Sequence, residues 1–209
     1  MNNNISQFIT TLDPVILWSS IAAIVMLVIL LGMVWYRLKH PSDDKQIDTI
    51  ISELGIEHRK DVIISDGVYG YHFIDYLILF PEQIMLLGVQ HYEGYIFGAE
   101  NIDEWAQVVN KKSYKFVNPL QNYMTCAQTI NSQIKDADVV ARMVFTSTSQ
   151  FPKGVPGGVY RMENFRTELE SLVRGKTLDG QTKTVWDELV ILASQHKQQY
   201  QREKAQAGT

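Results

Sequence analysis

In the run DYLILFPEQIMLLGVQHYEGYIFG, Asp75 opens one apolar segment and Gly88-Val89-Gln90 closes the next, across a Pro81-Glu82-Gln83 break. Residues i and i+2 of a strand project from one face. Gly88 and Gln90 therefore stand where charged partners of Asp75 would stand if the two segments pair. Such partners would serve metal-assisted hydrolysis: carboxylates hold Mg²⁺, the metal polarises the bond and lowers the pKa of a bound water, and a cation stabilises the developing charge. Gly88 offers no ligand, and Gln90 offers a neutral amide. His91 and Glu93 are expected to face away from Gln90, and Glu82 belongs to the far turn. A solitary carboxylate holds Mg²⁺ poorly, because this hard cation gives up water reluctantly.

The elements that would position these residues are legible from patterning. DKQIDTIISEL has Ile47, Ile50, Ile51 and Leu54 at helical spacing. DVIISDG, YHFIDYLILF and QIMLLGVQ read as strands, with GYIFG continuing the same sheet. The two longer strands are almost wholly apolar, as in a sheet covered on both faces. Asn118-Pro119 opens a helix, with Asn as cap and Pro at its first position. Its apolar stripe runs through Leu120, Tyr123, Met124, Ala127, Ile130 and Ile134, and Cys126 is expected as a buried structural thiol. DVVARMVFTSTS returns as a strand, KGVPGGVY is a loop, and ENFRTELESLV and TKTVWDELVILASQHKQQYQREKAQ are helices. Sheet and helix together give one α/β or α+β domain.

The 209 residues are 45% hydrophobic and 20% charged, with a net charge of -4, which provides no global positive field for nucleic acid. One cysteine excludes an internal disulfide framework and suits a reducing compartment. From Pro14 to Tyr36 no residue is charged, and a helix of that length covers about 34 Å, enough for a hydrocarbon core. Trp18 and Trp35-Tyr36 stand at its ends, where amphipathic rings favour the membrane interface. Only Asp13 is charged before the run, whereas Arg37, Lys39 and Lys45 follow it, so the C-terminal side is expected in the cytoplasm. The expected organisation is a short extracytoplasmic tail (1–13), a single-pass transmembrane helix (14–37), a linker and helix start (38–49), a domain (50–175), and a C-terminal helix with a polar tail (176–209).

The run YGYHFIDYLILFPEQIMLLGVQHYEGYIFGAENIDEW, followed by FVNPLQN and VVARMVF, resembles the nuclease-related domain family over residues 50–170. The resemblance rests on Ile74-Asp75, Gly94, Trp105 and Asn118-Pro119. It implies a restriction-endonuclease-like α/β fold of the PD-(D/E)xK type: a central mixed sheet flanked by helices, here preceded by the transmembrane helix. It also implies a catalytic Asp on one strand and a Glu-x-Lys on the next. Asp75 fills the first position and is the candidate metal ligand. The Glu position is Gly88 and the Lys position is Gln90, which with Asp75 forms a vestigial catalytic set. Asn122 stands where the pattern has Gln, and Asp48 or Glu53 could supply a further acid from the preceding helix.

Three readings follow. The first is a membrane-anchored cytosolic domain of nuclease fold that has lost hydrolysis, needs no cofactor and acts by binding nucleic acid or protein. The second is an active nuclease with relocated catalytic residues and Mg²⁺. The third is a protein-interaction module at the inner membrane face. Lys111, Lys112 and Lys115 are the candidate phosphate-binding residues, against a bland alternative as a solvated loop. Trp105 is expected to pack in the core or a lid. The sequence leaves the oligomeric state open.

Overall fold

The computed structural model describes residues 14–39, 42–67 and 70–207. Two compact units divide at Ser42. The first contains helix α1 (Pro14–Lys39), 26 residues long. Its large apolar side chains are exposed, among them Trp18 (70%), Met26 (66%) and Val28 (62%). Every side chain described over 23–33 is exposed, so no face of that stretch is buried. Among the described residues no helix is long and apolar enough to cross a membrane, which departs from the expected span at 14–37. The expected extracytoplasmic tail (1–13) lies outside the described residues, as do positions 40 and 41 of the linker.

The second unit runs from Asp43 onward. It comprises α2 (Asp43–Leu54), β1 (Glu57–Ser65), β2 (Tyr71–Leu79), β3 (Ile84–Gln90), β4 (Gly94–Phe97), β5 (Glu104–Val109), β6 (Lys112–Val117), α3 (Pro119–Gln133), β7 (Val139–Phe145), β8 (Ser149–Gln150), β9 (Val159–Arg161), α4 (Met162–Val173) and α5 (Gly180–Ala207). The fold is mixed α/β, with two mixed sheets flanked by helices, consistent with a nuclease-like architecture.

The large sheet has the order β1-β2-β3-β7-β9. Its first three strands are antiparallel neighbours, and β7 and β9 add in parallel. One apolar layer lies under α3 and α5 and includes Leu77, Leu79, Leu86, Cys126, Met143 and Trp186. The other lies under α2 and α4 and includes Ile47, Ile51, Ile78, Leu87 and Phe165. Burial on both faces explains why β2 and β3 read as unbroken apolar runs.

The β1–β2 ladder is interrupted where Asp61 faces Asp75. Lys60 pairs with Tyr76 and Val62 with Ile74, but the pair between them is missing, and Asp61 adopts φ 51°. Below the break Tyr76 and Ile78 face the α2 layer, whereas beyond it Ile74 joins the α3 layer. Asp75 therefore sits at a twist in the strand, which simple alternation does not anticipate.

Two expectations change, and one hairpin is added. GYIF does not continue the large sheet. It forms β4 of a second sheet, ordered β6-β5-β4-β8, because Gly94 (φ 82°) turns the chain and its N–H donates to Thr148 O at 2.9 Å. The segment from Glu104 to Val117 is a hairpin, closed by Asn110 and Lys111 at φ 51° and 64°. That is the two-residue turn whose twist matches the strands. The Gly/Pro-rich loop also contributes a strand, β9.

Candidate functional site

Asp75 Oδ2 accepts hydrogen bonds from the Val89 backbone N–H at 2.7 Å and from the Tyr123 hydroxyl at 3.1 Å. The Asp75 backbone N–H in turn donates to the Tyr123 oxygen at 3.2 Å. The carboxylate thus bridges β2, β3 and α3, as a half-buried acceptor between elements does. Burial, with the Asp75 charge as a smaller cause, raises the Tyr123 pKa far above the ordinary phenol value, so it remains a hydroxyl donor.

Gly88 is buried on the same side. A Cβ there would lie 2.5 Å from Met143 Sδ and 2.8 Å from Tyr123 Cζ. Two side chains of the α3 layer therefore fill the volume that a glutamate at this position would need. Gln90 points the same way, its Nε2 3.7 Å from Met143 Sδ. The structure brings Asp75, Gly88 and Gln90 together, with Tyr123 and Met143 between them in place of a cleft. His91 lies on the other side, where its Nε2 is 3.3 Å from Asp44 Oδ1.

The two acids considered on the first helix of the domain do not reach Asp75. Asp48 belongs to α2, on the opposite layer, and accepts from the Tyr76 hydroxyl at 2.5 Å and from Lys60 at 2.7 Å. Glu53 pairs with Arg166 of α4 at 2.6 Å. Among the described residues no group of three or more His, Cys, Asp or Glu side chains could hold a metal ion. One acid near Asp75 is not singled out by the sequence pattern: Asp61, opposite it at the ladder break. Asp61, Asp75 and Lys197 of α5 line a cavity of about 150 Å³, and Lys197 Nζ donates to Asp61 O at 3.2 Å. The sequence signal was faint, since Lys197 is 122 positions away in a polar helix end.

Asn118 is 1% exposed, and its polar atoms are used structurally. Its Oδ1 accepts from Leu120 N–H at 3.0 Å, capping α3, while Nδ2 donates to Glu100 O and Ile102 O, each at 3.0 Å. Trp105 is buried, donates to Ala99 O at 3.0 Å, and stacks on Phe145 of β7 at 5.9 Å, joining the small sheet to the large one. Asn122 Oδ1 lies 2.8 Å from His72 Nδ1. Of the lysine trio, Lys111 is in the hairpin turn, and Lys112 and Lys115 are on β6, where Lys115 pairs with Glu104 at 2.8 Å.

A family model described as NERD, nuclease-related domain, matches residues 33–147, more than half of the 209. The chain belongs to this family. The NERD match starts within α1 and stops after β7, so it excludes β8, β9, α4 and α5 and is displaced from the 50–170 expected. It contains Asp75, Gly88, Gln90 and Tyr123, whereas Lys197 lies beyond it. No curated protein and no solved structure matches the chain.

Proposed function

We propose that this NERD-family protein is a membrane-anchored domain of nuclease fold that acts by binding, with its hydrolytic centre closed. One observation carries the reading: Met143 and Tyr123 occupy the space beside Gly88, while Asp75 is engaged by Val89 and Tyr123. With the space beside Gly88 filled and Gln90 uncharged, β3 supplies neither the second carboxylate nor the cation that the reaction needs. The direct check is an assay of the full chain in detergent with Mg²⁺ or Mn²⁺ on DNA and RNA. No cleavage is expected, and metal-dependent cleavage that vanishes in Asp75→Ala overturns the reading.

Anchoring is supported by the uncharged run from Pro14 to Tyr36 and by the all-round exposure of α1 over 23–33, since an apolar helix surface of this kind requires a cover. The charge asymmetry supports an outside N-terminus and a cytoplasmic domain. Protease treatment of sealed inverted vesicles should digest residues 43–207, and protection of that segment opposes this orientation.

The cavity lined by Asp61, Asp75 and Lys197 favours a second reading, a relocated metal-dependent centre. That reading requires Mn²⁺ to raise the melting temperature of the wild type and not of Asp61→Ala.

A further inference from the structure

The small sheet buries one face and leaves the other open. Ile96 and Trp105 on the inner face are each 1% exposed. The register places Tyr95, Val108 and Ser113 in one row of the outer face, with Phe97, Ala106 and Lys115 in the next. On β8, Gln150 pairs with Tyr95 and extends the first row. Tyr95 is 49% exposed and Val117 is 72% exposed on this surface. Lys153 Nζ lies over the Phe97 ring at 5.8 Å from its centroid.

We propose that this outer face binds single-stranded nucleic acid, with bases stacked on Tyr95 and Phe97 and phosphates drawn to Lys153. Tyr95 and Phe97 are two residues apart on one strand, so their rings emerge about 6.7 Å apart along it. Lys115 lies two strands from Phe97, roughly 10 Å across the sheet, and is neutralised there by Glu104 at 2.8 Å. Stacking on aromatic side chains combined with flanking cations is the general means of holding unpaired bases. Paired bases cannot present their faces to a sheet, so a duplex does not fit.

Two further features agree with this ligand. A cavity of about 340 Å³ adjoins Tyr95, lined by Ser149, Gln150, Arg161 and Glu163 among others, and its volume is within the range of small-molecule sites. Such amide, guanidinium and carboxylate groups can hydrogen-bond a base edge. Arg161 is ion-paired with Glu163, which fixes both at the cavity wall. In addition, Lys111 stands in the turn at the tip of the β5–β6 hairpin, whereas Lys112 alternates to the opposite face. The face belongs to a different sheet from Asp75, and the inference stands whether or not the Asp75 region hydrolyses anything.

The test is fluorescence anisotropy of the full chain in zwitterionic detergent, with EDTA present, using labelled oligothymidine and a duplex of equal length. Binding to the single strand should exceed binding to the duplex and weaken steeply between about 50 and 200 mM salt. Tyr95→Ala and Phe97→Ala should each weaken it about tenfold or more, while Tyr95→Phe keeps it. Lys153→Ala should lower the salt slope by about 0.7. Absence of binding at low salt, preference for the duplex, or unchanged affinity in folded Tyr95→Ala overturns the proposal. So does a face that captures only a protein partner. Should Phe97→Ala lose its melting transition, Tyr95→Ala and Lys153→Glu decide the matter. EDTA excludes metal-dependent cleavage, so a failure here leaves the reading of the Asp75 region untouched.

Discussion

Beside Gly88 the space a ligand would need is occupied, whereas around Tyr95 it is open. Met143 and Tyr123, 0% and 6% exposed, close over Gly88, while Tyr95 presents half of its surface to solvent. Both regions lie largely within the family match, and both combine aromatic with polar groups. They differ in who satisfies the polar groups. At Asp75 the partners are internal, a backbone N–H and a phenol. On the outer face of the small sheet the lysine ammonium over Phe97 and the Tyr95 ring have surface left for a visitor. Side chains of the core thus fill the space beside Gly88, while the outer face of the neighbouring sheet stays exposed.

The contrast between the inner and outer faces of the small sheet gives the largest expected effect. Trp105→Ala should cost about 3–5 kcal/mol, because it empties the junction with Phe145. Tyr95→Ala should stay within about 0.5 kcal/mol of the wild type, as exposed substitutions do. Denaturant titration of both variants checks this, and a comparable loss in Tyr95→Ala would mean that the outer face is structural.

A smaller effect probes whether the Asp75 region is truly filled. Gly88→Ala places a methyl group against Met143 and Tyr123 and should cost about 1–3 kcal/mol by overpacking. The double variant Gly88→Glu with Gln90→Lys, which rewrites the Glu-x-Lys pattern, should melt lower than the wild type and cleave nothing with Mg²⁺. Metal-dependent cleavage by that variant would show that the region opens easily.

The smallest effect concerns protons. Burial pushes the Cys126 thiol beside Tyr123 from 9.0 up to about 12. Burial, then the bond to Asp48, pushes Tyr76 from 10.0 up to about 12, and the Asp48 bond lifts Lys60 from 10.5 to about 12. In each case the folded state keeps a proton that the unfolded chain releases. Stability is therefore full below pH 9.0 and falls as the pH rises toward about 12. Denaturation midpoints measured at rising pH should decline, and Cys126→Ala should remove the earliest part of the decline. A midpoint that rises with pH contradicts the closed environment.

Local patterning identified α2, β2, β3, α3 and β7 because apolar periodicity is written into consecutive residues. The Asn118 cap was equally legible, since its partner Leu120 is two residues away. The β5–β6 hairpin was missed, although Asn110 before two lysines carries a turn signal, because β6 has five exposed positions among its six residues and lacks an apolar run. The strand β9 was missed because it is three residues long and exists only through pairing with β7.

By itself the sequence determined that Gly88 brings no side chain and Gln90 no charge to the end of β3, whatever the fold. It also determined the uncharged run before the domain. Only the tertiary structure decided what fills the space beside Gly88, because Met143 and Tyr123 come from β7 and α3, 55 and 35 residues beyond Gly88 in the chain. It likewise decided that Asp61 stands opposite Asp75, and that Tyr95 and Phe97 share an open face. Packing and strand register join residues distant along the chain, and their spacing in one dimension does not encode which of them will meet.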